Sequence, residues 1–159
     1  MPKGVTTANR GRKPKLGQHF LNSESAAQRI VEAMGDLNGA TVLEIGPGRG
    51  ALTSLLAPKA RRLITVELDR VLAAQLRLKF ATRPNVEVIE GDFLKIELDT
   101  VFGPKPGSLR PGLTFTPEPA RVVGNLPYYI TSDILLRLLE YNLLLKSKEE
   151  LLLLRFLLP

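Results

Sequence analysis

The stretch Glu44-Ile45-Gly46-Pro47-Gly48-Arg49-Gly50 decides the fold. It continues Thr41-Val42-Leu43, a short β-branched, apolar run, and it leads into Ala51–Leu56, which has a helical pattern. A strand that breaks at glycines and resumes as a helix opens a βα unit. Glycine lets the backbone turn tightly and approach a ligand closely. The spacing is G-x-G-x-G rather than G-x-G-x-x-G, and no Lys-Ser/Thr pair follows, so a phosphate-cradling P-loop is disfavoured. A tight turn with no ligand is the plainer alternative.

The same alternation runs outward on both sides. Ala26, Ala27, Ile30, Val31 and Met34 predict a helix over Ser23–Met34, with Ser23 as N-cap and Gly35 as stop. Leu63-Ile64-Thr65-Val66 predicts a second strand ending at Glu67, and Val71–Phe80 a helix. Val86-Glu87-Val88-Ile89 predicts a third strand, running out at Glu90-Gly91-Asp92. Arg121-Val122-Val123-Gly124 is a fourth, closed by Asn125-Leu126-Pro127-Tyr128, with a helix over Thr131–Tyr141. The Pro- and Gly-rich stretch 103–120 reads as a long loop. The domain plan is a flexible basic arm over 1–16, an α/β domain over 17–141 and a leucine-rich tail over 142–159.

Strands alternating with helices imply a parallel, Rossmann-like sheet. Ligands bind such sheets beyond the carboxyl ends of the strands, near the topological switch point. Gly46–Gly50, Glu67, Asp92 and Asn125 each follow a predicted strand, so all four belong to one edge.

Composition narrows the chemistry. The chain has 159 residues, which suits one domain. It has no Cys, which excludes thiol catalysis, disulfides and cysteine-held metals. Its single His, His19, argues against a histidine-rich metal site, and no metal is expected. No apolar run predicts a membrane span or a signal peptide, so a cytoplasmic protein is expected. The net charge is +6, and Lys3, Arg10, Arg12, Lys13 and Lys15 stand before any acid. The arm is either a solvated tail or a segment that docks on phosphates.

The strand ends suggest specific work. Glu67 lies 17 residues past Gly50 and can accept two hydrogen bonds from a ribose diol. Asp92 can accept from an adenine amino group. Leu68 and Phe93, each next to one of these acids, could clamp a flat base, although Phe93 alone reads as core. Adenine N6 is a poor nucleophile because its lone pair is delocalised into the ring. The Asn125 amide oxygen and the Leu126 carbonyl could accept both N6 hydrogens and free that lone pair. Pro127 has a fixed φ that helps hold the carbonyl in place. Tyr128 can stack on a base taken out of its helix. No general base is needed.

Five segments carry a resemblance. Gly17-Gln18-His19-Phe20-Leu21, the run Leu43–Thr53, Val66-Glu67-Leu68-Asp69-Arg70, Glu90-Gly91-Asp92-Phe93-Leu94 and Gly124-Asn125-Leu126-Pro127-Tyr128 occur in order. Over about residues 13–141 the chain resembles the ribosomal RNA adenine N6,N6-dimethyltransferases of the KsgA type, near relatives of the erythromycin-resistance methylases. The resemblance implies an S-adenosyl-L-methionine-dependent methyltransferase fold. It also implies two adjacent adenines near the 3′ end of small-subunit rRNA as target, in a precursor of the 30S subunit, and a monomer. His19 and Leu21 would line the methionine end of the cofactor, and Gly46 and Gly48 would lie beneath it. Glu67 would bind the ribose hydroxyls and Asp92 the cofactor adenine, with Leu68 and Phe93 beside them as cofactor-binding residues. Asn125, Leu126, Pro127 and Tyr128 would hold the target adenine, with Asn125 also beside the cofactor.

The 103–120 loop looks longer than the family's, and the segment after Tyr141 does not match its pattern. The expectation is a sheet lacking its last strands and a chain without the family's C-terminal helical domain. Two alternatives stay open: an impaired fragment that binds only cofactor or RNA during ribosome assembly, and an amino-methyltransferase on another substrate.

Overall fold

A parallel sheet forms around β1 (Thr41–Ile45), whose five residues are all buried. The structure, a computed structural model, describes residues 24–102, 120–124, 126 and 128–145, with backbone alone at 102, 120, 128 and 141–145. The basic arm, His19, Leu21, Ser23, residues 103–119, Asn125, Pro127 and the tail beyond 145 lie outside the described residues. β1 pairs on one side with β2 (Arg62–Glu67), and β2 pairs with β3 (Val86–Glu90). On its other side β1 pairs with β4 (Ala120–Gly124), giving the order β3-β2-β1-β4, all parallel.

This order creates the switch point. The chain steps outward from β1 to β2 to β3, then returns to add β4 on the far side of β1. Connections leaving β1 and β4 diverge to opposite faces, the arrangement beside which ligands bind in open α/β sheets. Ile45 is level with both Val66 and Gly124, and Val66 with Ile89, so the four outgoing loops start at one edge.

Each face of the sheet carries a core. Alternate strand residues point to opposite faces. Val42, Leu63 and Val123 meet α1 (Glu24–Ala33), α2 (Ala51–Leu56) and α3 (Arg70–Lys79) through Ile30, Leu56 and Leu76. Leu43, Ile64 and Val122 meet the other face, covered by α4 (Leu98–Phe102) and α5 (Tyr128–Leu145) through Leu98, Ile134 and Leu138. The central strands are covered on both sides, so they read as continuous apolar runs.

Local signals place the helices. α1 buries Ala27, Ile30 and Val31, spaced i, i+3, i+4, and stops at Gly35, which takes φ +74°. The Asp69 carboxylate accepts from the Val71 and Leu72 N–H groups and starts α3. Two helices differ from the sequence reading. α5 begins three residues before Thr131 and runs four past Tyr141, because Pro127 is tolerated ahead of a first turn and Leu143–Leu145 are good helix formers. α4 has no counterpart in the sequence reading; it is five residues long and is anchored by Leu98 and Val101.

Gly124 is required by close approach. A Cβ there would lie 2.8 Å from the Ile45 carbonyl oxygen and 3.2 Å from Leu126 Cγ. The first neighbour is backbone and cannot swing away.

Candidate functional site

The glycine loop turns directly off β1. Gly46, Gly48 and Gly50 take φ of +67°, +58° and +79°, a region that side chains disfavour. The Gly46 N–H donates to the Val66 carbonyl at 2.9 Å, which extends the ladder one residue into the loop. Gly50 caps α2, and its carbonyl accepts from the Ser54 hydroxyl at 2.7 Å. A Cβ on Gly50 would lie 2.8 Å from Leu76 Cδ2, so α3 closes against the end of the loop. The Lys79 ammonium donates to the Arg49 carbonyl at 3.3 Å from the same side.

Glu67 ties this loop to β2. It is only 4% exposed. One carboxylate oxygen accepts from the Gly48 N–H and the other from the Asp69 N–H, both at 2.9 Å. Each oxygen keeps a further lone-pair direction. Leu126 reaches the loop from the opposite side: its Cδ2 lies 3.6 Å from where a Gly46 Cβ would stand. The structure therefore brings the segments after β1, β2 and β4 together.

Asp92 lies one strand further out. Its Oδ1 accepts from the Leu94 N–H at 3.0 Å, and Oδ2 is 3.6 Å from the Lys95 ammonium. Leu68 is 54% exposed and offers an open apolar face. Phe93 does not share that open position. It is 4% exposed and packs in the α4–α5 core, because those helices cover the face onto which it points. His19, Leu21, Asn125, Pro127 and the Tyr128 side chain are outside the described residues.

Glu44 is a site residue to which the sequence reading gave no task. It is 1% exposed, and its Oε2 accepts from the Thr53 hydroxyl at 2.6 Å. Burial pushes its pKa from an ordinary 4.5 up to about 7; the Thr53 hydroxyl and N–H oppose this, and the nearby Glu67 adds to it. The signal in the sequence was a charge inside an otherwise apolar strand.

The shift has a consequence for stability. The folded chain holds the Glu44 proton more tightly than the unfolded chain does. This contribution is complete below pH 4.5 and is lost as pH rises through about 7. At pH 8 the loss is on the order of 3 kcal/mol. Glu44→Gln, which is neutral throughout, is expected to melt several degrees above the parent at pH 8 and at nearly the same temperature at pH 4. An equal difference at both pH values would refute it.

Comparison with known proteins gives this geometry its context. Residues 9–155 match the family described as ribosomal RNA adenine dimethylase. The chain belongs to that family. The match starts before Lys13 and runs past Tyr141, beyond the resemblance visible in the motifs. The chain is 56% identical over 147 residues to the ribosomal RNA small subunit methyltransferase A of Koribacter versatilis, covering 91% of this chain and 52% of that one. It is 54% identical over 130 residues to the same-named protein of Acidobacterium capsulatum, covering 82% and 42%. The chain thus spans about half the length of these curated relatives. Among solved structures, the 23S rRNA methyltransferase ErmE aligns with a TM-score of 0.61 and 36% identity, covering 77% of this chain and 43% of that one. A dimethyladenosine transferase from Plasmodium falciparum aligns with a TM-score of 0.58 and 26% identity, covering 77% and 38%. The adenine dimethylase family accordingly supplies the fold: a Rossmann-like methyltransferase sheet.

Proposed function

We propose that this chain binds S-adenosyl-L-methionine and serves methyl transfer to N6 of two adjacent adenines near the 3′ end of small-subunit rRNA. The reading has it working on a 30S precursor in the cytoplasm, as a monomer. The observation that carries it is the convergence at the switch point, where Glu67 holds the Gly48 N–H and Leu126 closes on Gly46.

The residues fit the cofactor. Gly46 and Gly48 take φ of +67° and +58° and present bare backbone at the loop. Glu67 keeps lone pairs for the two ribose hydroxyls. Asp92 has 28% side-chain exposure and can accept from the cofactor's adenine amino group, while Leu68 offers its open face to the flat ring. His19 and Leu21 line the methionine end on this reading. The bound cofactor supplies an electrophilic methyl group on its sulfonium sulfur. Asn125 and the Leu126 carbonyl accept the two N6 hydrogens and localise the lone pair. Pro127 fixes that carbonyl, and Tyr128 stacks on the target base. Orientation of the two reactants supplies much of the rate. The basic arm before Gly17 gives an incoming RNA backbone its counter-charge.

The test is transfer of labelled methyl groups from S-adenosylmethionine to undermethylated small subunits. Label recovered as dimethyladenosine is the expected result. Cofactor binding with no transfer would instead favour a binding module. Transfer to DNA but not to rRNA would overturn the substrate.

A further inference from the structure

A buried polar cluster lies beneath the glycine loop. Glu44 and Thr65 are register partners on β1 and β2, and Glu67 is two residues further along β2, so all three leave the sheet on one face. Thr53 of α2 completes the cluster, and all four residues are buried. Both acids support the site from below. Glu67 holds the loop at Gly48, and Glu44 holds the first turn of the helix that the loop opens.

Glu67 has a place in the proposed cofactor site, and Glu44 has none. A carboxyl placed there for packing alone would be costly, since burial opposes its charge. The groups facing it are few among the described residues. Thr53 bonds to it from α2, Glu67 disfavours its charge from β2, and Lys79 favours its charge from α3. Its neighbour on β4, Val123, is apolar. The carboxyl is poised between two states near neutral pH.

We propose that Glu44 is a positioning residue that discriminates cationic S-adenosylmethionine from its uncharged thioether product by releasing a proton when the cation binds above the loop. The inference rests on the reading of this loop as the cofactor site. The step is Glu44–CO₂H to Glu44–CO₂⁻, with the proton passing to solvent. A positive charge brought close favours the ionised carboxyl by about tenfold or more. The carboxylate then strengthens its bonds to the Thr53 hydroxyl and N–H, which stiffens the start of α2 under the loaded loop. After transfer the ligand has lost its sulfonium charge. Glu44 regains a proton, and the product leaves a site that no longer favours it.

The experiment is calorimetric titration of the whole chain with S-adenosylmethionine and with S-adenosylhomocysteine. Each is run at pH 7 in two buffers of different ionisation enthalpy, and affinities are followed from pH 6 to 8. For S-adenosylmethionine we expect release of about half a proton at pH 7 and an affinity gain of about fivefold to tenfold across the range. Both are measured relative to Glu44→Gln, which corrects for the ligand's own amino group. S-adenosylhomocysteine should show neither effect. Thr53→Val removes a bond to the charged form and should move the pH midpoint upward. Should Glu44→Gln fail to fold, Thr53→Val takes its place as reference, and a release midpoint no higher than the parent's overturns the inference. Equal proton release with both ligands, or the same release from Glu44→Gln, overturns the inference alone. Binding of neither ligand at any pH overturns the cofactor reading and the inference with it.

Discussion

Asn125→Ala is expected to slow methyl transfer to adenine by about a thousandfold while S-adenosylmethionine affinity stays within about tenfold. The amide oxygen is proposed to accept from N6 as the amine moves toward tetrahedral geometry. That interaction gains strength only on the way to the transition state, so its loss falls on kcat. Removing one such preorganised contact elsewhere costs about a hundredfold to a thousandfold. Asn125 also adjoins the cofactor on this reading, which puts its effect at the upper end. Its described neighbours on either side are closely packed. Gly124 approaches the Ile45 carbonyl so closely that a Cβ would stand 2.8 Å away, and Leu126 packs towards Gly46. Single-turnover transfer of label, with affinity measured in parallel, checks this. A variant that keeps the parent rate would remove Asn125 from the chemistry.

The parts of this site that were legible in the sequence are those set by short-range signals. Thr41–Ile45 and Ala51–Leu56 fall where β-branched runs and glycine breaks put them, and Gly46, Gly48 and Gly50 all take the positive φ that only glycine favours. Strand order was not legible, because the return of β4 to the free side of β1 depends on packing across 75 residues of chain, from Ile45 to Ala120. The position of Glu67 at a strand end could be read. Its grip on the Gly48 N–H, across 19 residues, could not. The pattern left Phe93 open between clamp and core. Its side chain packs into a core closed by helices one of which, α4, is too short to leave a periodic signal. Glu44 was visible as a charge in a strand. Its proton affinity arises only once β2 and β4 flank it and α2 covers it.

Glu67→Ala is expected to weaken S-adenosylmethionine binding by at least about a hundredfold, for two reasons that can be separated. The first is direct: on the proposed reading the carboxylate accepts two ribose hydroxyls, and bonds to a charged acceptor contribute about 1.5–3 kcal/mol each. The second acts through the backbone. The Gly48 and Asp69 N–H groups lose their acceptor, and Gly48 loses its tether to β2. Leaving a partly buried donor unmet costs about 1–3 kcal/mol, so the ligand-free chain should also melt lower. Glu67→Gln divides the two contributions. It preserves shape and one accepting oxygen, but its amide NH₂ faces an N–H that needs an acceptor. It should therefore fall between the parent and Glu67→Ala in both affinity and melting temperature. If the carboxylate serves the ribose, the Gln variant also loses discrimination against a 2′-deoxyribose analogue of the cofactor, which the parent should reject. If Glu67 serves only the loop, both variants lower the melting temperature and the parent binds ribose and deoxyribose forms equally well. That result would leave Glu67 as a structural tether and pass the task of reading the ribose to another strand end.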